Sequence, residues 1–390
     1  MKSRDIPAIL GGAPIFDTLL PFTRPTLSGI ITLQKKYLEI LGSGMITNSK
    51  YVEEFEEKVK KYLGVKYAIA LNSCTSGLMI ILKALEIKGE VIIPSFTFFA
   101  TGHCVLWNNL TPVLVDCDRN TFNIDPIAVE KAITSKTSAI IAVHLFGNPA
   151  DTKALEKIAK KYHLKLIFDA AHGFGVKHQG KPLGGSGDAE SFSLSPTKLL
   201  TSAEGGIVTT NNKELARKIR IGRNYGDSGI YDCEFAGLSA RMSELHALLG
   251  IESLKNLEKN TANRGQLVNL YKELLNKIPG ITFQKIEDGN RSSFKDFSIY
   301  IDKKEFGLSR DKLALALEAE NIMVRKFFFP PLHKQKIYAK YHNSKNKVDN
   351  TNNLSENSLS IPLYSHMETA AVKKVCEAIY RINVHASEIA

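Results

Sequence analysis

The chain has 390 residues, 44% of them hydrophobic, which is enough for two domains with cores of their own. Its formal net charge of +11 is spread over segments in which lysine and glutamate mix at helical spacing, which indicates solvated helix faces rather than a nucleic-acid-binding stripe. The short apolar runs, the absence of a signal-peptide pattern and five scattered cysteines without a CxxC pair argue against membrane insertion, secretion, disulfides and zinc.

The first half of the chain predicts alternating helices and strands. Apolar residues recur at helical spacing from Val52 to Leu63, and Gly64 follows as a C-cap. Further on we predict strands at 67–71, 90–94, 112–116, 139–145 and 164–169, and helices at 75–85, 97–107, 126–133 and 152–162. This alternation of helices with apolar strands indicates an α/β fold with a mostly parallel sheet and helices on both faces.

The pattern changes after about residue 238. Residues 241–260 predict one long amphipathic helix that bridges two domains. A strand at 297–301 and a helix at 310–320 follow, and the Asn/Ser/Lys-rich stretch 341–358 predicts a solvated loop. We therefore predict a large α/β domain over residues 1–250 and a smaller α+β domain over residues 251–390.

A helix begins around Thr75, directly after the first predicted strand. In parallel sheets, ligands bind beyond the carboxyl ends of strands. Free amides at this helix start, with the hydroxyls of Thr75 and Ser76, form an anion site that suits a phosphate; the alternative is a plain N-cap. The sequence LNSCTSGL lacks the P-loop pattern, so a nucleoside triphosphate is not indicated.

Two further strand ends carry chemical groups. Asp169 ends a hydrophobic strand, where a carboxylate costs free energy unless a cation meets it. A protonated pyridine nitrogen is such a cation, and His172 could bond the same ligand; the alternative for Asp169 is an N-cap. After strand 90–94 come Phe96, Phe98 and Phe99, which are either core residues or a stacking face for a planar ring.

The stretch SFSLSPTKLLTSAEGG holds one lysine, Lys198, without an acidic residue at i−4 or i+4. A lysine with a depressed pKa on irregular backbone is a Schiff-base candidate. A phosphate turn, a stacking aromatic, a strand-end aspartate and this lysine are the parts that hold pyridoxal 5'-phosphate. The aspartate keeps the pyridine nitrogen protonated, and the lysine bonds the cofactor and moves the proton.

These residues stand in longer motifs. Nearly end to end, the chain resembles the DegT/StrS-type family of pyridoxal-phosphate-dependent aminotransferases acting on nucleotide-linked keto-sugars, which have fold-type I, the fold of aspartate aminotransferase. The resemblance includes NSCTSGL, VIIPSFTFFAT, FDAAHGFG, SFSLSPTKLLTSAEGGIV, GRNYG and FFFPPLHKQ, in that order.

The resemblance implies a role for each matching residue. Lys198 corresponds to the lysine that bonds the cofactor, Asp169 to the partner of the pyridine nitrogen, His172 to a residue near the ring oxygen, and Phe98 to the aromatic that stacks on the ring. Three hydroxyl residues match phosphate-binding positions: Thr75, Ser76 and Ser193.

Two more positions correspond to family residues outside this group. Asn224, in GRNYG, resembles the asparagine that reaches the phosphate from a neighbouring subunit, which implies a homodimer with shared active sites. His333, in PPLH, lies where family members line the substrate cleft. The family commonly has asparagine in place of Ser239 and histidine in place of Tyr225, and these departures leave the exact sugar open.

The resemblance further implies a ping-pong transaminase of the cytoplasm. Glutamate donates the amino group to a nucleotide-diphospho-sugar, with a 4-keto-6-deoxy sugar favoured and a 3-keto sugar as the alternative. The amino sugar would serve bacterial polysaccharides or natural-product glycosylation, with no membrane, nucleic-acid or metal partner. A related branch has histidine for the lysine and is a dehydratase, which Lys198 disfavours. A non-catalytic relative would lack the lysine or the phosphate turn, and both are present.

Overall fold

The part of the chain that the computed structural model describes, residues 6–343 and 345–390, forms a large sheet, a small sheet and the helices around them. The strands are β1 Tyr67–Leu71, β2 Glu90–Pro94, β3 Thr111–Val115, β4 Thr137–Val143, β5 Lys165–Asp169, β6 Lys177–His178, β7 Lys181–Pro182, β8 Ala189–Ser193, β9 Gly206–Thr210, β10 Ile281–Phe283, β11 Phe297–Ile301 and β12 Ser358–Ile361. The helices are α1 Ile30–Ser43, α2 Lys50–Leu63, α3 Cys74–Ala84, α4 Phe99–Trp107, α5 Pro126–Ala132, α6 Thr152–Tyr162, α7 Lys213–Gly222, α8 Glu244–Leu254, α9 Leu257–Leu275, α10 Lys303–Phe306, α11 Arg310–Ala319, α12 Asp349–Asn357, α13 Thr369–Val384 and α14 Ala386–Ile389.

The large sheet has seven strands in the order β1-β9-β8-β5-β4-β2-β3. β9 runs antiparallel to its neighbours β1 and β8, and the remaining pairs are parallel. Alternate residues of one strand enter different cores: Val91 and Ile93 pack with α3 and α4, and Ile92 packs with α5 and α6. The predicted mostly parallel sheet with helices on both faces is confirmed.

The small sheet has the antiparallel order β10-β11-β12. Its core also takes in Leu20 from the start of the chain, whose N–H donates to the Asn321 carbonyl at 2.8 Å. The N-terminal segment therefore packs on the C-terminal half. The domain division at residue 250 stays a proposal, as does the cytoplasmic location. No helix in the described residues is both long and apolar enough to cross a membrane.

The predicted long helix over 241–260 is wrong in one respect, because α8 and α9 are separate helices with Lys255 and Asn256 between them. Asn256 leaves the helical conformation, with φ −106° and ψ 4°. Its side-chain amide donates to Ser28 Oγ at 3.0 Å, and such local polar contacts compete with a continuous helix.

The predicted loop over 341–358 is also wrong over its second half, which forms α12. Thr351 in this helix donates from both its backbone N–H and its hydroxyl to Asp116 Oδ1, each at 2.7 Å. Leu354 is buried one turn later. A contact with a distant strand end thus stabilises a helix whose Asn/Ser-rich composition does not favour it. Ser344 in the same stretch lies outside the described residues.

Candidate active site

A cavity of about 520 Å³ opens at the carboxyl ends of β1, β4, β5 and β8. Its walls include six of the residues that the sequence singled out: Thr75, Phe98, Asp169, His172, Ser193 and Lys198. The parallel strands explain why residues far apart in sequence meet here, since their carboxyl ends lie at one edge of the sheet.

The ends of β1 and β8 approach each other across one glycine. In β9, Gly206 pairs with Leu71 on one side and with Ser193 on the other. A Cβ at this position would lie 2.5 Å from the backbone nitrogen of Cys74, which is too close for any side chain. Gly206 therefore lets the turn after β1 lie beside Ser193, and the two together form one cradle.

The turn after β1 begins α3, and Ser73 is its N-cap, with Ser73 Oγ accepting from the Ser76 N–H at 3.0 Å. The first amides of a helix have no intrahelical acceptor, so they attract an anion. Thr75 lines the cavity at this helix start. Ser76 does not: its hydroxyl donates to Asn72 Oδ1 at 2.6 Å and serves the cap. The structure therefore places Ser76 behind the cradle rather than in it.

Asp169 is buried at the end of β5, with 5% of its surface exposed. Its Oδ2 accepts from the Thr101 hydroxyl at 2.7 Å, and its Oδ1 accepts from the Ala171 N–H at 3.1 Å. Burial raises the pKa of Asp169, while these two donors and the charge of Lys198 oppose that shift. A carboxylate held in this way stabilises a cationic ligand in the cavity.

His172 presents a neutral imidazole. Its Nδ1 accepts from the Phe146 N–H at 3.1 Å, so the ring proton of the neutral form is on Nε2. Burial lowers the pKa of His172 well below its usual value, and the neighbouring charges of Lys198 and Lys295 lower it further. At neutral pH this side chain is therefore a hydrogen-bond donor through Nε2.

Lys198 lies on the irregular segment between β8 and β9, as the sequence predicts. Burial lowers the pKa of Lys198 to about 8, and the Lys295 charge also lowers it, against the opposing charges of Asp296, Cys74 and Asp169. About a tenth of this amine is thus uncharged at pH 7, far more than for an ordinary lysine, and the uncharged form is a nucleophile.

Of the three phenylalanines after β2, only Phe98 lines the cavity. It is the N-cap residue of α4 and is 45% exposed, so a ring face is open to a ligand. Phe96 is a core residue, packed edge to face against Phe122 and Phe328. The core interpretation is therefore right for Phe96, and stacking on a planar ring stays a prediction for Phe98.

Besides Ser76, two predicted site residues lie outside this cavity. His333 is buried with both ring nitrogens engaged, Nδ1 at 2.7 Å from Ser95 Oγ and Nε2 at 3.1 Å from Asn352 Oδ1. The structure therefore gives no support to its placement in the substrate cleft. Asn224 pairs with Ser239 in an isolated bridge and accepts from Arg241 Nη1. Its predicted role toward a neighbouring subunit stays a proposal.

A sequence model built for one aminotransferase family matches residues 31–380. The chain belongs to the DegT/DnrJ/EryC1/StrS aminotransferase family. A dTDP-4-amino-4,6-dideoxy-D-glucose transaminase of Escherichia coli is 33% identical over 368 residues, 93% of this chain and 98% of the relative. A dTDP-3-amino-3,6-dideoxy-alpha-D-galactopyranose transaminase of Aneurinibacillus thermoaerophilus is 34% identical over 352 residues, 90% of this chain and 94% of the relative.

Solved structures agree with this assignment. A crystal structure of DesI in the presence of its TDP-sugar product superimposes with a TM-score of 0.91 at 33% identity, covering 97% of this chain and 96% of DesI. The enzyme is an aminotransferase with fold-type I, as the sequence predicts.

The family implies pyridoxal 5'-phosphate, and the residues of this aminotransferase fit that cofactor. The buried carboxylate of Asp169 needs a cation, the amine of Lys198 is partly uncharged, and the cradle of Ser73, Thr75 and Ser193 suits a phosphate. Phe98 lines the same cavity and is partly exposed, so its ring is accessible to the cofactor. These side chains thus suit the ring nitrogen, the aldehyde carbon and the phosphate of the cofactor.

Several site residues escape the sequence analysis. Thr101 holds Asp169 from α4, and it lies four residues after Thr97, whose hydroxyl is 3.1 Å from its own. Lys295 and Asp296 line the cavity as an ion pair of 2.8 Å, directly before β11. A charged pair next to the apolar strand FSIYI is a signal that could have marked them. Others come from segments with no such signal: Phe22, Thr23 and Arg325.

Proposed function

We propose that this aminotransferase uses pyridoxal 5'-phosphate to move an amino group from glutamate to the keto group of a nucleotide-diphospho-sugar. The observation that carries the proposal is the placement of Lys198 and Asp169 in one cavity, the lysine with a lowered pKa and the aspartate held by two donors. A separate phosphate cradle lies in the same cavity.

Bound pyridoxal phosphate supplies a carbonyl carbon that bonds amines and a pyridine ring that withdraws electrons. The uncharged amine of Lys198 holds the cofactor between turnovers. Once the donor has displaced Lys198 from the cofactor, Lys198 Nζ takes the proton from the carbon that carries the amino group of the donor. In the second half of the cycle the same amine delivers a proton to the sugar carbon that receives the amino group.

The other residues bind and orient. Asp169 pairs with the protonated ring nitrogen and keeps it cationic, because Thr101 and Ala171 favour the ionised carboxylate. His172 donates from Nε2 to the ring oxygen. Thr75 and Ser193 bind the phosphate.

The position of the ketone in the sugar is the finer part of the proposal. We favour a 4-keto-6-deoxy sugar, in line with the 4-amino product named for the Escherichia coli relative. A 3-keto sugar is the alternative, in line with the 3-amino product named for the Aneurinibacillus relative. The product would enter a polysaccharide or a glycosylated natural product.

We also propose a homodimer with shared active sites. Helix α1 leaves apolar side chains exposed, among them Ile31 at 84% and Leu38 at 72%. Such a patch is typical of a protein interface. Asn224 lies outside the cavity of its own chain, which leaves it available to the phosphate of a partner.

The first test is spectral. Protein purified with pyridoxal phosphate should show a visible absorption band that borohydride removes, with the reduced adduct on Lys198 in a peptide map. Glutamate should shift the band, and the correct keto-sugar from a panel of nucleotide sugars should restore it with formation of an amino sugar. A dehydrated sugar without 2-oxoglutarate would identify a dehydratase instead. A Lys198→Ala variant that keeps both band and turnover would disprove the mechanism.

A further inference from the structure

Three cationic side chains line the cavity, and they differ in their partners. Lys198 is the nucleophile, and Lys295 is paired with Asp296 at 2.8 Å. Arg325 forms no ion pair with any carboxylate in residues 6–343 and 345–390. Two weak contacts involve its guanidinium, from Nη1 to the Val324 carbonyl at 3.3 Å and from Nη2 to Met323 Sδ at 3.5 Å. Most of its five N–H donors are therefore available to a ligand.

A second group beside Arg325 lacks a partner. Thr23 also lines the cavity, and its hydroxyl oxygen is buried without a hydrogen bond to any described residue. A buried hydroxyl in that state costs free energy unless a ligand or water satisfies it. The neighbouring Phe22 ring lies under the Arg325 guanidinium, at 5.9 Å from the ring centroid.

Backbone hydrogen bonds hold these two segments side by side. The Leu20 N–H donates to the Asn321 carbonyl at 2.8 Å, and the Met323 N–H donates to the Leu20 carbonyl at 3.0 Å. The Arg325 N–H donates to the Ser360 carbonyl at 3.0 Å, which fixes the segment to β12. The guanidinium and the hydroxyl are thus positioned before a ligand arrives, which lowers the entropy cost of binding.

We propose that Arg325 and Thr23 form an oxyanion subsite that binds the substrate. This inference rests on the proposed function, in which both substrates carry anionic oxygens, the donor in its carboxylates and the sugar nucleotide in its diphosphate. A guanidinium matches either group with paired N–H donors. Because the substrates alternate in the ping-pong cycle, one subsite can serve whichever of the two enters.

The experiment measures equilibrium binding to the protein loaded with pyridoxal phosphate. Calorimetric titrations with 2-oxoglutarate and with thymidine diphosphate report the carboxylate and the diphosphate separately. Arg325→Gln should lower the affinity for at least one of the two ligands by roughly ten- to a hundredfold, which is the loss expected for a charge-assisted hydrogen bond. Arg325→Lys keeps the positive charge and should recover part of the lost affinity. Thr23→Val should lower the affinity for the same ligand by about three- to tenfold.

Arg119→Gln is the matched control, because Arg119 also lies over an aromatic ring, that of Tyr300 at 6.0 Å, but outside the cavity. It should leave both affinities unchanged. The inference is overturned if Arg325→Gln binds both ligands as tightly as the unaltered protein. That result leaves the spectral test of the proposed function untouched. Absence of the absorption band in the unaltered protein would instead reject the proposed function itself, so the two failures are distinguishable.

Discussion

Thr101 Oγ1 donates a hydrogen bond of 2.7 Å to Asp169 Oδ2, and neither side chain is open to solvent. The threonine lies on α4 and the aspartate at the end of β5, so the bond joins two elements across the wall of the cavity. Because burial raises the pKa of Asp169, this donor is part of what keeps the carboxylate ionised.

Replacing Thr101 by Val should raise the pKa of Asp169 further. Only the ionised form of Asp169 supports activity, so kcat falls as the pH drops through the pKa of Asp169. In Thr101→Val that fall should therefore occur at a pH higher by roughly one unit. Thr101→Ser should restore the original profile. Thr209→Val is the matched control, since Thr209 is equally buried and donates to the Gly184 carbonyl at 2.7 Å, and neither residue lines the cavity. If the acid side of the kcat profile is unchanged in Thr101→Val, Thr101 does not keep Asp169 ionised.

Replacing Asp169 by Asn should separate cofactor capture from turnover. Asparagine keeps the size of the side chain but loses its charge, so the ring nitrogen is no longer held cationic. We expect kcat to fall by about 10²- to 10⁴-fold, while the absorption band of the cofactor on Lys198 remains. Asp151→Asn is the control, because Asp151 caps α6 through the Ala154 N–H, a position that asparagine fills equally well. Near-normal turnover in Asp169→Asn would contradict the assignment.

The charge of Lys295 should set the pH at which the enzyme captures its cofactor. Lys198 has a pKa of about 8, and only its uncharged form attacks a carbonyl, so the rate of cofactor capture should rise with pH through that value. Lys295→Met removes a cation that lowers the pKa of Lys198 and leaves Asp296, which raises it. Without the opposing cation, the pKa of Lys198 rises, so the midpoint of the rate against pH should move to higher pH. Stopped-flow absorbance, with the cofactor-free protein mixed with pyridoxal phosphate over a range of pH, measures this rate.

Lys285→Met serves as the control for Lys295, since Lys285 is an exposed lysine paired with Glu287 at 3.0 Å. Its midpoint should stay near pH 8. If Lys295→Met moves the midpoint of cofactor capture to lower pH, a group other than Lys295 controls the pKa of the Lys198 amine.

Most of the residues predicted to hold the cofactor line the cavity, whereas His333, the residue predicted for the substrate, does not. Asp169 lies at the end of a strand that the apolar pattern predicts, and the carboxyl ends of parallel strands share one edge of a sheet. The strand that ends at Ser193 is not predicted from the pattern, and only the family resemblance indicates Ser193. Thr23 and Arg325 reach the cavity from segments fixed by backbone pairing to each other and to β12. No local pattern encodes that pairing.

The same distinction explains the errors in the fold. The strand FSIYI and helix α6 have the predicted bounds because local periodicity decides them. Helix α12 is missed because its stability comes from Asp116, more than two hundred residues away in the chain. The break between α8 and α9 depends likewise on Ser28, a residue from the N-terminal segment. Contacts that are distant in sequence, rather than local propensity, decide these two places.

A buried pair that does not line the cavity should contribute strongly to stability. Glu190 is fully buried, and its Oε1 accepts from the Gly184 and Ser186 N–H groups at 2.8 and 2.9 Å. Its Oε2 faces Nε2 of the buried His144 at 3.5 Å, and His144 Nδ1 accepts from the Ala150 N–H. Removing the carboxylate leaves the Gly184 and Ser186 N–H groups without their acceptor and removes the charge that faces His144. We expect Glu190→Ala to lower the free energy of unfolding by about 2–4 kcal/mol.

Urea unfolding of the cofactor-loaded protein measures that loss. Glu130→Ala is the matched control, because Glu130 forms an exposed ion pair with Lys161 at 2.7 Å, and exposed pairs contribute little to stability. Its unfolding midpoint should barely move. Glu190→Gln keeps one acceptor oxygen for the two loop amides and should recover part of the stability, because the Oε1 contacts survive while the contact with His144 does not. Equal midpoints for Glu190→Ala and Glu130→Ala would show that the loop amides find other acceptors.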